Sequence, residues 1–234
     1  MAGTTELPPL AGTRLWLVDL DGGSALDDWL CLDADEQARA ARFVFEHHRR
    51  RYVAAHAALR RLLAVHTGRS LEQVRYLVGE FGKPHLVDGA DCSFNLSHSE
   101  DVGLIGIADS GDGGDIGVDV EVLRPVQDAR ALAVDNFTPA EQGTLSAANA
   151  SERDLVFFWG WTRKEACLKA IGSGLSIRPA SFEVGLTGAI RDVTIPTPQK
   201  SATVRVQSFR HGPRILGALA RTVDCYSPAR LTPA

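Results

Sequence analysis

The order of apolar and polar positions predicts a strand, a long helix and further strands in the first half of the chain. Residues Arg14–Leu20 alternate as a strand does. Asp33 is a suitable helix N-cap, and Glu36 three residues later is typical of a capping box. Apolar positions at helical spacing then continue to Gly68, which favours one long or broken helix. Short strands are predicted at Val74–Val78, Cys92–Leu96 and Val102–Ala108.

The same pattern begins again after residues 109–115, a segment composed of Gly, Asp and Ser that is typical of a loop. Ile116–Val122 is a predicted strand, and Thr138 followed by Pro139 is typical of a helix start. A second long helix is predicted to begin after Ser151 and to run to Ile171. The helix would end at Gly172 and Gly174, and three strands would follow at Phe182–Leu186, Ala202–Ser208 and Ile215–Ala220.

Both halves therefore contain a strand, a long helix and about three strands. We expect an α+β fold of two similar lobes related by a pseudo-twofold axis, each a small, mainly antiparallel sheet with a long helix. The lobes would comprise residues 1–114 and 115–234, and a site built from both would lie at their interface. The two halves have no visible sequence identity, so the repeat rests on the element pattern.

Composition is that of an ordinary globular chain of 234 residues, with a net charge of −4. This net charge argues against nucleic-acid binding. One segment differs, because nine arginines and two acidic residues, Glu46 and Glu72, lie between Arg39 and Arg75. Such a segment is either a solvated helix face or an anion-binding surface.

The sequence offers no membrane or secretion signal. No apolar run approaches the ~20 residues that a membrane-spanning helix needs, and the N-terminus lacks the features of a secretory signal. The four cysteines are scattered and form no C-x-x-C pair: Cys31, Cys92, Cys167 and Cys225. We therefore expect a cytoplasmic protein with reduced thiols and no membrane partner.

The predicted strand Ile116–Val122 carries two carboxylates on one face. Asp119 and Glu121 would lie roughly 6–7 Å apart, given a rise of ~3.3 Å per residue. Like charges this close repel unless a cation lies between them, and Mg²⁺ takes oxygen ligands. The alternative is an ordinary amphipathic edge strand.

The second long helix places Trp161, Glu165 and Lys169 on one face, four residues apart. A helix face that packed only against a core would have further apolar side chains after Trp161. This face instead has the carboxylate of Glu165 and the ammonium of Lys169. The alternative is a surface ion pair worth a few tenths of a kcal/mol.

Two shorter segments also carry candidate chemistry. Ser97 and His98 follow an apolar strand, where side chains meet a cleft. Gly82 and Pro84 predict a turn that would present Lys83 to solvent or ligand. The alternatives are a structural histidine and a solvated turn.

Taken in order and with their spacing, these segments resemble the 4′-phosphopantetheinyl transferase superfamily. The family pattern is a G-[VI]-D-x-E strand followed some forty residues later by [FW]-[ST]-x-K-E-[AS]-x-x-K. This chain has GVDVE at residues 117–121 and WTRKEACLK at residues 161–169, with 41 residues between Asp119 and Trp161. The Gly-Lys-Pro turn and the segment NLSHS at residues 95–99 also match, and the resemblance extends from about Asp33 to Ser176.

The resemblance implies transfer of the phosphopantetheine arm of coenzyme A to a serine of an apo carrier protein, with release of adenosine 3′,5′-bisphosphate. It implies dependence on Mg²⁺, with Mn²⁺ as an alternative, and coenzyme A as co-substrate. The carrier could serve fatty-acid, polyketide or nonribosomal-peptide synthesis. Members of this length resemble the two-lobed, monomeric kind. The first lobe would contact coenzyme A and the carrier, and the second would hold the metal site and the catalytic helix.

By the same match, Asp119, Glu121 and Glu165 would hold the metal. Glu165 could also deprotonate the carrier serine, directly or through water. Lys169 and Lys164 would stabilise charge on the diphosphate and the leaving group.

The match also implies contacts with coenzyme A. His98 would bind a phosphate with help from Ser97, and Arg39 and Arg51 are the candidates for the 3′-phosphate. Glu36 stands where members sometimes have a basic residue, which implies a weaker or rearranged site. The remaining arginines could face an acidic carrier. The full set of implied contacts is Arg39, Arg51, Gly82, Lys83, Pro84, Ser97, His98, Asp119 and Lys169.

Two other functions use the same residues. A metal-dependent hydrolase of coenzyme A or nucleotide diphosphates would use water as the nucleophile. A non-enzymatic module would bind coenzyme A and the carrier, and would not need Glu165.

Overall fold

The computed structural model describes residues 3–23, 25–79, 82–87, 92–109, 114–172, 176–198 and 200–223. These residues form ten strands, β1 to β10, and six α-helices, α1 to α6. The strands are Thr4–Leu10, Thr13–Asp19, Tyr76–Val78, Pro84–Leu86, Cys92–Ser99, Val102–Asp109, Ile116–Val122, Arg191–Ile195, Ala202–His211 and Ile215–Thr222. The helices are Ala25–Trp29, Ala34–Ala40, Glu46–Thr67, Ala129–Asn136, Pro139–Ala147 and Arg153–Ile171.

The first sheet has the strand order β1-β2-β6-β5 and packs against helix α3. Small and branched apolar residues at helical spacing on α3, such as Ala55 and Leu59, pack with Trp16 and Phe94 of the sheet. The predicted long helix is broken, because α2 and α3 are separated by residues 41–45. Helix α3 ends at Gly68, whose φ of 67° is the left-handed conformation that glycine favours at a helix end.

The second sheet has the order β7-β10-β9-β8, and helix α6 packs across it. Gly117 allows α6 to lie directly on β7. A Cβ atom at position 117 would collide with the carbonyl oxygen of Ala166 and the amide nitrogen of Ala170. This close approach of helix and strand positions the side chains of the candidate site.

The two lobes repeat one arrangement, as the sequence predicts. In the first sheet β2 pairs antiparallel with β6, which pairs antiparallel with β5. In the second sheet β7 pairs with β10, which pairs with β9, in the same manner. The α+β class with antiparallel sheets is therefore confirmed. The boundary after residue 114 stays a prediction, because residues 110–113 lie outside the described part of the chain.

The lobes share an apolar core. Leucines of β2 and β6, including Leu15 and Leu104, pack against the apolar face of β7, formed by Ile116, Val118 and Val120. Strands β5 and β7, each at an edge of its own sheet, lie side by side at this joint. Burial of the even-numbered residues of β7 turns Asp119 and Glu121 towards α6.

The prediction of a strand at Phe182–Leu186 is wrong, because these residues form no strand. The amides of Val184 and Gly185 donate hydrogen bonds to Glu141 Oε1, at 2.7 and 3.2 Å, and the Val184 carbonyl accepts one from Arg163. Since buried side chains satisfy this backbone, the segment needs no partner strand. Strands β1, β4 and β8 and helices α1 and α4 have no counterpart in the sequence prediction.

No helix in the described ranges is long and apolar enough to cross a membrane. Cys31, Cys92 and Cys167 form no disulfide bond there, and Cys225 lies outside those ranges. The cytoplasmic location stays a prediction.

Candidate active site

Two carboxylates of β7 and two charged residues of α6 form one cluster. Asp119 is buried and Glu121 is partly buried on the α6 side of β7. Burial raises the pKa of Glu165 on α6, and the negative charges of Asp119 and Glu121 raise it further against the opposing charge of Lys169. The sequence prediction that these four residues meet is therefore supported by their mutual influence.

Lys169 and Ser97 both bind one oxygen of Asp119. The Lys169 ammonium lies 2.6 Å from Asp119 Oδ1, and the Ser97 hydroxyl donates to the same atom at 2.8 Å. Lys169 also donates to Ser97 Oγ at 3.0 Å. Burial raises the pKa of Asp119, while Lys169 and Ser97 act in the opposite direction.

Glu121 is held in the same way as Asp119. Its Oε2 atom accepts hydrogen bonds from Ser99 Oγ at 2.5 Å and from the Arg124 guanidinium at 2.9 Å. Arg124 lies over the Phe158 ring, with 5.3 Å between the guanidinium carbon and the ring centroid. Each carboxylate of β7 thus has one oxygen bound by a serine of β5 and by a cation.

The second oxygen of Asp119 is suited to a metal ion. Among the described residues, none donates a hydrogen bond to its buried Oδ2 atom. A buried carboxylate oxygen is costly unless a donor or a cation satisfies it, and carboxylate oxygens are the ligands that Mg²⁺ takes. Within the described ranges, no group of three or more His, Cys, Asp or Glu side chains is arranged so that it could hold a metal ion. The predicted metal site of Asp119, Glu121 and Glu165 therefore stays a prediction.

His98 lies among several positive groups. The surrounding protein lowers the pKa of His98 by partial desolvation, and the charges of Lys169, His56, His48 and Arg51 lower it further. The two side chains of this set that are charged at neutral pH, Lys169 and Arg51, favour a bound anion.

The two arginines predicted at the 3′-phosphate have different surroundings. Arg51 pairs with both carboxylate oxygens of Asp21, at 3.0 and 2.8 Å, and Arg50 shares the same carboxylate. The pKa of Asp21 is therefore far below its ordinary value. Arg39 is exposed, with its guanidinium 5.6 Å from the centroid of the Tyr52 ring.

Glu36 stands at the position where the resemblance implies an occasional basic residue. It is buried, and its carboxylate belongs to the capping box at the start of helix α2. Although burial acts to raise the pKa of its carboxyl, hydrogen bonds with His56 and Tyr76 bring that pKa below the ordinary value. Arg60 also contacts this carboxylate, at 3.3 Å. Glu36 therefore anchors α2 to α3, and the weaker or rearranged 3′-phosphate site that it implies stays a prediction.

The prediction that the Gly82-Pro84 turn presents Lys83 is wrong. Lys83 is buried, and its ammonium donates to the carbonyl oxygens of Ala170 at 2.7 Å and Ile116 at 3.2 Å. Burial lowers its pKa to about 8. The side chain thus joins the first lobe to α6 and β7, because its long stem reaches the second lobe. The turn itself forms, with Gly82 at a φ of 86°.

Lys164 lies away from the cluster, contrary to its predicted place on the diphosphate. It is buried, pairs with Glu141 at 2.8 Å, and donates to the carbonyl oxygens of Pro179 and Phe182. Adjacent residues of a helix point about 100° apart, so Lys164 and Glu165 face different sides of α6.

Sequence reasoning missed Ser99 and Arg124. The signal for Ser99 was present, because Ser97 and Ser99 are two residues apart on a strand and share a face. Arg124 lies three residues after Glu121, beyond the end of β7. The alternation of a strand therefore does not predict which way its side chain points.

Comparison with known proteins identifies the family. A model described as the 4′-phosphopantetheinyl transferase superfamily matches residues 115–214, and one described as 4′-phosphopantetheinyl transferase, N-terminal, matches residues 25–109. The 4′-phosphopantetheinyl transferase HetI of Nostoc sp. is 38% identical over 179 residues, which cover 74% of this chain and 74% of that protein. The 4′-phosphopantetheinyl transferase ffp of Bacillus subtilis is 26% identical over 182 residues, with 78% of each chain covered.

A crystal structure of Thermotoga maritima holo-[acyl-carrier-protein] synthase covers 47% of this chain and 62% of its own, with 16% identity and a TM-score of 0.32, too low to inform the fold. The sequence relatives carry the assignment. The likeness to HetI exceeds 30% identity over most of both chains, and the two family models match segments in both lobes. The chain belongs to the 4′-phosphopantetheinyl transferase superfamily and is of its two-lobed kind.

Proposed function

We propose that this protein transfers the 4′-phosphopantetheine arm of coenzyme A to a serine of an apo acyl or peptidyl carrier protein. Membership in the family supports the reaction. The observation that carries it here is the cluster in which Lys169 lies 2.6 Å from Asp119, and in which the charges of both residues act on the pKa of Glu165. Such a cluster has the cation and the base that a phosphoryl transfer to a hydroxyl requires.

Asp119, Glu121 and Glu165 would hold Mg²⁺, with Mn²⁺ as the alternative. The buried Oδ2 atom of Asp119 supports this assignment, as does the all-oxygen character of the set. When bound, the ion would neutralise and orient the diphosphate oxygens.

Glu165 would accept the proton of the carrier serine, directly or through water. Metal ligation would lower the basicity of its carboxylate, which favours the route through water. The serine oxygen forms a bond to the phosphorus next to the pantetheine, and the bond from that phosphorus to the bridging oxygen breaks. Adenosine 3′,5′-bisphosphate leaves, and Lys169 would stabilise the negative charge on its departing oxygen.

The positive groups around His98 would bind the phosphates of coenzyme A. His98 and Arg51 have the strongest support, because both belong to that cluster. Arg39 remains a candidate for the 3′-phosphate, and Gly82 and Pro84 would contribute the backbone of their turn. We leave Lys83 and Lys164 out of the site, because their buried ammonium groups are already bound.

The carrier would approach over the exposed segment Arg42–Arg50. Val44 and Phe45 are 89% and 62% exposed, and arginines lie at both ends of the segment. Exposed apolar side chains in a positive surrounding suit an acidic protein partner with its own apolar contacts. Arg51, a proposed phosphate-binding residue, follows this segment directly in α3, so the surface borders the proposed phosphate site.

Intact-mass analysis of several apo carriers, incubated with coenzyme A, Mg²⁺ and this protein, tests the proposal. A carrier should gain the mass of one phosphopantetheine, and a chelator should prevent it. The reaction is rejected if no carrier gains mass.

The same assay separates the alternatives. Release of adenosine 3′,5′-bisphosphate without a carrier would favour a hydrolase, and modification by Glu165→Ala at the wild-type rate would favour a binding module. We propose that the protein acts as a monomer, which analytical ultracentrifugation checks.

A further inference from the structure

Strands β5 and β7 are joined by side chains of β5 that bind the backbone of β7. Each strand lies at the edge of a different sheet. The three bonds are Ile116 N to Ser93 Oγ at 3.1 Å, Val118 N to Asn95 Oδ1 at 2.9 Å, and Val122 N to Ser99 Oγ at 3.3 Å. All three pairs are separated by 23 residues in sequence. This constant separation means that the two edges run parallel in a single register.

The same face of β5 also binds both carboxylates of β7. Ser97 donates to Asp119 Oδ1 at 2.8 Å, and Ser99 donates to Glu121 Oε2 at 2.5 Å. Neither hydroxyl uses the second oxygen of its carboxylate. Two serines of the first lobe therefore constrain two carboxylates of the second lobe and leave one oxygen of each for another ligand.

We propose that Ser99 is a positioning residue for Glu121 in the metal site, and that the joint between the lobes aligns that site. The inference rests on the proposed function. Glu121 has three rotatable side-chain bonds, so its carboxylate can adopt many positions on an open strand face. The Ser99 hydroxyl limits them, because it is itself fixed by the amide of Val122. Hydrogen-bond partners of metal ligands orient them and raise metal affinity.

Ser93 supplies a matched control. Ser93 and Ser99 are both 8% exposed, both accept a hydrogen bond from an amide of β7, and both donate to a carboxylate. The carboxylate at Ser93 is Asp115, at 3.2 Å, which is not among the proposed metal ligands. Loss of either hydroxyl leaves one buried amide without its acceptor, so both losses should destabilise the joint alike.

The experiment measures Mn²⁺ affinity by electron paramagnetic resonance, and stability by urea unfolding without metal, for the wild type and three variants. Ser99→Ala should raise the Kd for Mn²⁺ by about 10–100-fold, whereas Ser93→Ala should change it by less than about threefold. Both should lower the urea midpoint to a similar extent. Ser99→Thr keeps a hydroxyl and should restore the affinity. Ser99→Cys, with nearly the same volume, replaces Ser99→Ala if that variant does not fold.

The half-saturating Mg²⁺ concentration for transfer should rise in Ser99→Ala and should stay close to the wild-type value in Ser93→Ala. Equal Mn²⁺ affinity in Ser99→Ala and Ser93→Ala would overturn the inference and leave the proposed function intact. A wild-type protein that binds no Mn²⁺ would instead reject the proposed metal site, and with it the role of Ser99.

Discussion

The ammonium of Lys169 on α6 lies 2.6 Å from Asp119 Oδ1 on β7, so a salt bridge links the helix to the strand. Asp119 is buried, whereas the Lys169 side chain is 30% exposed. The pair is therefore sheltered on the carboxylate side and open on the ammonium side, where a diphosphate could reach it. Burial of one partner makes the interaction stronger than that of an ordinary surface pair.

Lys169→Ala should reduce kcat by on the order of 10²–10³, because it removes a positive charge from the departing oxygen. The rate of holo-carrier formation, measured by intact mass, checks this. Lys200→Ala is the control, since Lys200 is an exposed lysine of the same lobe. A rate for Lys169→Ala within a few-fold of the control would contradict the assigned role.

Glu165→Gln should abolish transfer and at the same time stabilise the fold near neutral pH. The folded-state pKa of Glu165 is raised, so the folded protein binds more protons than the unfolded chain above the ordinary glutamate pKa of ~4.3. Wild-type stability therefore falls as pH rises through that window, and the neutral amide avoids the loss.

Urea unfolding of the wild type and Glu165→Gln without divalent ions, between pH 4 and pH 7 (a window set by the ordinary value of ~4.3), measures the difference. The variant should gain relative stability as pH rises. A variant that is less stable than the wild type at pH ~7 would show that the carboxyl is not strained by burial.

Gly117→Ala should destabilise the protein by about 3 kcal/mol or more, because the new methyl group collides with the backbone of α6 and backbone cannot move aside easily. Gly143 on α5 is the matched control, since no described atom beyond its chain neighbours and the nearby backbone of α5 itself lies within 4 Å of its Cβ position. Gly143→Ala should stabilise the fold by about 0.5–1 kcal/mol. Calorimetry on both variants checks the contrast, and equal melting temperatures would refute the close contact.

Lys83→Met should lose the stability increase that the wild type shows between pH ~8 and ~10.5. Burial lowers the folded-state pKa of Lys83 to about 8, below the unfolded value of ~10.4. The unfolded chain then binds more protons in this window, so wild-type stability rises with pH there.

Urea midpoints of both proteins across that window give the comparison, because other groups titrate equally in the two. The free energy of unfolding of the wild type should gain on the order of 2–3 kcal/mol relative to Lys83→Met. Parallel profiles would place the Lys83 ammonium in contact with solvent.

Phe45→Ser should raise KM for the carrier about tenfold and leave KM for coenzyme A unchanged, if the segment Arg42–Arg50 contacts the carrier. Ile190→Ser is the control, because Ile190 is similarly exposed, at 61%, in the other lobe. Arg49→Glu should raise KM for the carrier further at low salt, because it reverses a charge facing an acidic partner. An unchanged carrier KM in both variants would exclude this surface.

Local periodicity determined much of this protein in advance. Alternation on β7 placed Asp119 and Glu121 on one face, and the four-residue spacing of α6 placed Glu165 and Lys169 together. Both patterns depend on neighbouring residues, which is why the sequence alone could express them. The spacing of the motifs also identified the family.

The tertiary structure decided the roles that depend on distant residues. Lys83 contacts Ala170, 87 residues away, and Ser99 contacts Glu121, 22 residues away on another sheet. Lys164 stands next to Glu165 in sequence, but its environment comes from α5 and the segment after α6. A lysine that reaches solvent and one that is buried have the same local pattern, because burial is set by which surfaces of the fold meet. The sequence therefore determined which residues share a face, and only the packing of the two lobes decided what each face contacts.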